Sequence, residues 1–203
     1  ADYIIVGAGS AGCVLADRLS ADGKHKVVLL EFGGSDRSIF IQMPAALAYP
    51  MNTKRWNWGY ESEPEPHLNG RRLNCPRGKG LGGSSSINGM VYIRGHASDY
   101  DRWSQLGLTG WGWADVLPYF RKAEDSERGS DEFHGSGGPL HTSRKGALPN
   151  PLNAAFAESA VQAGYKLTDD FNGPQFEGVG QYDATIKDGE RFSAAKAYLT
   201  AEV

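Results

Sequence analysis

The sequence predicts an α/β fold that opens on a parallel βαβ unit. Three observations carry this prediction. Asp2-Tyr3-Ile4-Ile5-Val6 is a short run rich in β-branched and aromatic residues, a glycine cluster follows it at once, and a second apolar run, Val27-Val28-Leu29-Leu30, comes after a stretch of helical spacing. The first run reads as a buried strand. Between the runs, Ala11, Val14, Leu15 and Leu19 recur at helical intervals, and Asp22-Gly23 closes that helix before the second strand.

After Glu31, residues 33 to 90 mix Gly, Pro, Asn and aromatic residues with little sustained periodicity, which predicts a long, mostly extended excursion. Excursions of that length bind something or lie over a partner domain, so cofactor contact is expected there. Helices return over Ser98 to Leu106 and Ala114 to Lys122, with Trp103, Val116, Leu117 and Phe120 on the apolar face and Pro118 placed in the first turn of the second helix. The glycine-rich run from His134 to Pro139 leads into a short strand near Leu140. Asn150-Pro151 opens a further helix as N-cap and first-turn proline, and Gly164 closes it. Val179 to Lys187 reads as a strand, Asp188-Gly189 as a tight turn, and Ser193 as the cap of a last helix. No internal repeat or coiled-coil heptad is visible.

Composition narrows the functional classes. The 203 residues are 40% apolar and 22% charged with a net charge of -3, as expected of a soluble globular chain of one large domain or two small ones. There is no long Lys/Arg block, so no nucleic-acid partner is expected. No stretch approaches the roughly 18 apolar residues of a membrane span. Cys13 and Cys75 are too few for a disulfide scaffold and lack metal-ligand spacing, which points to a reducing compartment. No leader is visible and Ala1 stands where a methionine would, so a trimmed N-terminus is expected; the expected location is cytoplasmic, with membrane association as the alternative. Glycine is over-represented, 27 of 203 residues against a usual share of about 7%. Backbone is needed close to something.

Gly7-Ala8-Gly9-Ser10-Ala11-Gly12 is GxGxxG set between strand and helix, the context in which this pattern binds dinucleotides. The first glycine allows the turn, the second admits a pyrophosphate to the backbone, and the third lets helix and strand pack closely, while the helix N-terminus offers free N–H groups. Glu31 ends the second strand, where its carboxylate can accept hydrogen bonds from ribose hydroxyls and repel a 2′-phosphate. The plain alternatives are a ligand-free turn and a solvated carboxylate. The motif alone does not choose between NAD and FAD.

A second constellation runs from Pro76 to Met90, PRGKGLGGSSSINGM, and offers two cations, small residues that let backbone lie flat against a planar ligand, three hydroxyls and the Asn88 amide. This stretch resembles the first signature of the glucose-methanol-choline (GMC) family of FAD-dependent oxidoreductases, and the likeness continues through Val91-Tyr92-Ile93-Arg94-Gly95 and Asp99-Tyr100-Asp101-Arg102-Trp103. Within the family it is most similar to choline-dehydrogenase-like and alcohol-dehydrogenase-like members. The resemblance implies a Rossmann-like FAD-binding domain with the start of an interleaved α+β substrate domain. It divides the chain into a cofactor domain over 1–140, covered by the excursion of about 33–95, and an incomplete substrate domain over 141–203.

By the same resemblance, Gly7, Gly9, Ser10, Ala11 and Gly12 hold the FAD pyrophosphate, Glu31 holds the adenosine ribose, and Leu81, Gly83, Ser84, Asn88, Gly89, Met90 and Val91 lie along the flavin side. Some family members attach the flavin through a histidine that aligns with Ile87, which cannot form the bond, so non-covalent FAD is expected. Phe32 departs from the family, where alanine commonly follows the ribose acid.

The remaining candidates have plainer readings. His25, His67, His96, His134 and His141 are scattered without ligand spacing and read as surface or packing residues, so no metal site is expected. The pairs Trp56/Trp58 and Trp111/Trp113 read as core before they read as a ligand tunnel. Glu61, Glu63 and Glu65 alternate along one solvated edge, with a cationic-substrate site as the alternative. Ser84 to Ser86 lack a nucleophile's elbow and paired histidine, and suit backbone packing and cofactor contact better.

Family members are generally more than twice this long. The resemblance therefore puts the catalytic base on a C-terminal part outside these residues, on the same or a separate chain, and leaves no catalytic residue here. The expected activity of the complete protein is oxidation of a primary alcohol to an aldehyde by hydride transfer to FAD, with oxygen or a quinone-like molecule as electron acceptor. The alternatives are a lyase or fatty-acid photodecarboxylase on the same scaffold, a non-catalytic flavin-binding remnant, and an NAD site that leaves residues 76 to 91 without a use.

Overall fold

A computed structural model describes residues 1–144 and 150–200. In chain order its elements are β1 (Tyr3–Val6), α1 (Ser10–Ser20), β2 (Val27–Leu30), α2 (Ile39–Gln42), α3 (Ala48–Met51), β3 (Tyr60–Glu61), β4 (Asn74–Cys75), β5 (Val91–Tyr92), α4 (Ala97–Gln105), α5 (Trp113–Ala123), β6 (Glu124–Ser126), β7 (Leu140–Thr142), α6 (Pro151–Gln162), β8 (Asp183–Ala184), β9 (Ile186–Lys187), β10 (Glu190–Arg191) and α7 (Ala194–Tyr198). They form two compact units, Ala1–Met90 with Asp188–Val203, and Val91–Lys187. These units are defined by packing.

The first unit is built on the βαβ turn. β1 and β2 pair in parallel, Tyr3 opposite Val27 through Val6 opposite Leu30, and α1 crosses between them with Gly12, Cys13 and Ala16 buried. A strand buried throughout is not what forms. Ile5 alone in β1 is buried, and Ile4 and Val6 are 64% and 85% exposed, because this sheet has only two strands among the described residues. α7 lies against α1, and Ala194, Ala195, Ala197 and Tyr198 are buried. Its cap is Ser193, whose Oγ accepts from the Lys196 amide at 3.2 Å.

The excursion from 33 to 90 is irregular but less extended than its composition suggests. It contains α2, α3 and single 3₁₀ turns at Pro44–Ala46, Pro66–Leu68 and Gly83–Ser86. The reason is a small apolar nucleus: Ile41, Trp56 and Ile87 are buried together with Met51 against them, and folding the chain back on itself is what brings them in contact.

The second unit holds α4, α5, the parallel pair β6–β7 and α6. Pro118 lies inside α5 and not in its first turn, since the helix starts at Trp113. Having no N–H, it leaves the Ala114 carbonyl without its i+4 donor. α6 opens as expected, with the Asn150 side chain accepting from the Leu152 amide at 2.9 Å, and Gly164 follows its end at φ +92°. The strand expected over Val179 to Lys187 is broken into β8 and β9, while Val179 only bridges Leu167. Asp188 and Gly189 both take positive φ, 51° and 77°, as a tight primed turn requires.

Candidate functional site: a glycine-lined cleft in the first unit

β1 delivers the chain to Gly7, whose φ of +95° turns it toward α1. Gly12 must lack a side chain, since a β-carbon there would stand 2.0 Å from the Gly7 carbonyl oxygen. The first intrahelical bond is donated by the Cys13 amide to the Gly9 carbonyl at 2.9 Å, so Ser10, Ala11 and Gly12 present first-turn amides with no acceptor inside the helix. No side chain caps this end. Partial positive charge and open donors suit an anion.

The Glu31 carboxylate is built into the glycine turn. Oε2 accepts from the Ala8 amide and Oε1 from the Gly33 amide, both at 2.8 Å. A carboxylate offers about four acceptor positions, so each oxygen keeps one for a ligand hydroxyl.

The second glycine-rich stretch seats directly on the first. The Gly82 amide donates to the Ala8 carbonyl at 2.8 Å, the Leu81 amide to Gly34 at 3.1 Å, and a β-carbon on Gly83 would stand 2.7 Å from the Gly9 α-carbon. The three serines hold this turn. Ser84 Oγ accepts from the Gly78 amide, Ser85 Oγ donates to the Gly82 carbonyl and accepts from the Ala194 amide, and Ser86 Oγ donates to the Leu81 carbonyl.

Together these segments line an open cleft of about 560 Å³, formed by Val6, Gly7, Gly9, Leu30, Glu31, Phe32, Trp58, Gly78 and Gly83. The structure thus gathers Gly7, Gly9, Glu31 and Gly83 at one place, with Ser10, Ala11 and Gly12 at the adjoining helix start. Leu81, Ser84, Asn88, Gly89 and Met90 do not line it. Asn88 and Gly89 are exposed, and Met90 is buried at φ +62° with its amide donating to Asn88 Oδ1 at 3.0 Å. Val91 begins the second unit, paired with Ala184.

Several residues take places that sequence reading missed. Trp56 is core, as expected, but Trp58 and Trp111 are 41% and 53% exposed, and Trp58 lines the cleft. Arg191 is fully buried, and among the described residues it has no carboxylate partner. Its Nε donates to the Ile41 carbonyl at 2.9 Å, and Nη1 to the carbonyls of Ser85 and Asn88 and to Asn88 Oδ1 at 3.1, 2.8 and 2.9 Å. Burial pushes its pKa down to about 10. A lone cation ahead of a helix cap carries no pattern that marks it.

In the second unit, His134 is fully buried, the packing alternative of the two expected, but it is held between two carboxylates. Its Nδ1 meets both Glu124 oxygens at 3.1 and 3.2 Å and its Nε2 meets Asp170 Oδ2 at 2.9 Å, while Arg94 Nη2 donates to the same Glu124 at 2.8 Å. Burial opposes the charge on His134, but hydrogen bonds to Asp170 and Glu124 prevail and raise its pKa to about 9. Among the described residues no three His, Cys, Asp or Glu side chains stand together as metal ligands.

Residues 1–203 match the family model described as GMC oxidoreductase. The chain is 61% identical over 199 residues to the oxygen-dependent choline dehydrogenase of Sinorhizobium fredii, covering 98% of this chain and 36% of that protein. It is 58% identical over 200 residues to the enzyme of the same name from Vibrio vulnificus, with the same coverage. Among solved structures, pyridoxine 4-oxidase from Mesorbium loti superposes with a TM-score of 0.93 at 38% identity, over 99% of this chain and 40% of that one. A formate oxidase superposes at 0.83 and 28% identity, over 97% of this chain and 36% of that one. The chain therefore spans a little over a third of the length of the relatives it matches.

Proposed function

Since the chain belongs to the GMC oxidoreductase family, we propose that the cleft of its first unit holds FAD, bound non-covalently, and that the complete protein oxidises a primary alcohol of the choline type to its aldehyde. The observation that carries this reading is the joint between the two glycine-rich stretches: Gly83 rests on Gly9, and Glu31 is fixed to the same turn by two amides. Bare backbone faces a cleft large enough for a nucleotide, and the open first-turn amides of α1 adjoin it.

Each group has a physical task in this reading. The amides of Ser10, Ala11 and Gly12 offset the diphosphate charge. Glu31 accepts from the ribose hydroxyls and disfavours a 2′-phosphate at that position. Leu81, Ser84, Asn88, Gly89, Met90 and Val91 belong to the flavin side of the site. Ile87 supports non-covalent binding, because its side chain is buried in the nucleus with Ile41 and Trp56 and carries no group that could bond to the ring.

Bound FAD supplies the acceptor for the hydride leaving the alcohol carbon. The base that takes the hydroxyl proton is proposed to lie on a C-terminal part beyond these residues, on the same or a separate chain. The final electron acceptor is oxygen or a quinone-like molecule. The division of labour proposed with this keeps the flavin site within residues 1–140 and the start of the substrate domain in 141–203. The choline-type substrate is supported by the relatives' identity over 98% of this chain. The test is anaerobic addition of choline to the full-length protein: bleaching of the flavin band near its visible maximum supports the proposal, and an unchanged spectrum with choline and with other primary alcohols refutes it.

A further inference from the structure

We propose that Phe32 forms, with Trp58, an aromatic shelf on which the adenine ring of the bound dinucleotide stacks. The inference rests on the reading that the cleft holds FAD. Phe32 is 79% exposed, although it directly follows Glu31 at the end of β2. Its ring stacks on Trp58 with centroids 5.1 Å apart and an interplanar angle of 29°. Both residues line the cleft that contains Gly7, Gly9 and Glu31. A large apolar side chain this exposed gains little from burial in the first unit, and its other face is free to take a planar partner.

Position along the cleft identifies that partner. Diphosphate binds at the open amides of α1, ribose at the carboxylate of Glu31, and the base then falls beyond Glu31, where Phe32 and Trp58 stand. The shelf is preformed. Trp58 is held by its amide, which donates to the Arg77 carbonyl at 3.0 Å, and by a near-parallel stack on Tyr60 at 6.3 Å and 7°. Lys79 Nζ sits 5.6 Å from the Trp58 ring centroid. The stacks on Phe32 and Tyr60 thus restrict the Trp58 ring before a base arrives. Stacking reads the flat face of a base and not its edge, so the shelf rewards the adenosine half as such.

The experiment uses the full-length protein, stripped of flavin and titrated with FAD, in wild type, Phe32→Ala and Phe32→Tyr. The shelf predicts that Phe32→Ala weakens FAD binding about 5- to 100-fold and that Phe32→Tyr restores it. In the unaltered apoprotein, AMP should quench tryptophan fluorescence and ribose 5-phosphate should not, which keeps the test decisive if the alanine variant fails to fold. Wild-type FAD affinity in Phe32→Ala, loss of affinity that tyrosine does not restore, or AMP quenching no greater than that by ribose 5-phosphate each overturns the shelf and leaves FAD in the cleft. A wild-type protein that binds no FAD overturns the functional reading itself.

Discussion

Gly83 lies so close to Gly9 that a β-carbon on Gly83 would stand 2.7 Å from the Gly9 α-carbon. This contact joins two motifs more than seventy residues apart in sequence, and Gly83 also needs its φ of +54°. We predict that Gly83→Ala parts the two loops and lowers stability by about 1–2 kcal/mol from the backbone conformation alone. The clash adds to this, and flavin content should fall with it. The flavin-to-protein absorbance ratio and a thermal melt check both effects; a variant with full flavin content and unchanged melting would show that the loops need not touch.

Glu31 anchors the other side of the cleft. Glu31→Gln replaces an acceptor oxygen with an amide that cannot accept from both Ala8 and Gly33. Losing charge-assisted hydrogen bonds of this kind is expected to weaken FAD about 10- to 100-fold, measured by flavin fluorescence titration. Equal affinity in the variant would remove Glu31 from the ribose site.

Arg191 ties Ile41, Ser85 and Asn88 together from beneath the signature stretch. Arg191→Met is expected to cost about 1–3 kcal/mol, because it strands the buried Ile41 carbonyl and takes a donor from the partly buried carbonyls of Ser85 and Asn88. Arg191→Lys, able to meet only part of the set, should fall between. Denaturant melts order the three proteins; a methionine variant as stable as wild type would mean that the carbonyls find other donors.

His134 makes the second unit sensitive to alkali. Its folded pKa is raised to about 9 from an ordinary 6.5, so the charged form is stabilised by folding. That stability is fully present below pH 6.5 and is lost as pH rises through 9. The linked change is on the order of 3 kcal/mol at most. Melting temperatures recorded between pH 6 and pH 10 should decline for wild type and stay flatter across that window for His134→Gln. Parallel profiles would place the proton elsewhere.

Local signals were the legible ones. The βαβ unit, the capped start of α6 at Asn150-Pro151 and the turn at Asp188-Gly189 all follow from period, caps and turn chemistry within a few residues. The gathering of Gly7, Gly9, Glu31 and Gly83 around one cleft could be anticipated because the first three belong to one short motif and its strand-end acid. What stayed hidden depends on distant partners. His134 owes its burial and charge to Glu124 and Asp170, Arg191 to carbonyls about a hundred or more residues earlier, and the exposure of Trp58 to how the excursion folds around Trp56 and Ile41. No spacing records such pairings. Val179 to Lys187 reads as one strand, yet Val179 bridges Leu167 and regular strand geometry in this stretch is confined to Asp183–Ala184 and Ile186–Lys187.

The most direct measurement is the visible absorption spectrum of the purified full-length protein before and after acid precipitation. A flavin spectrum that moves wholly into the supernatant is predicted, as FAD held by the Gly7–Gly12 turn, Glu31 and the Gly83 stretch without a bond to the ring. A colourless protein would contradict the FAD site, and flavin retained in the precipitate would contradict non-covalent binding.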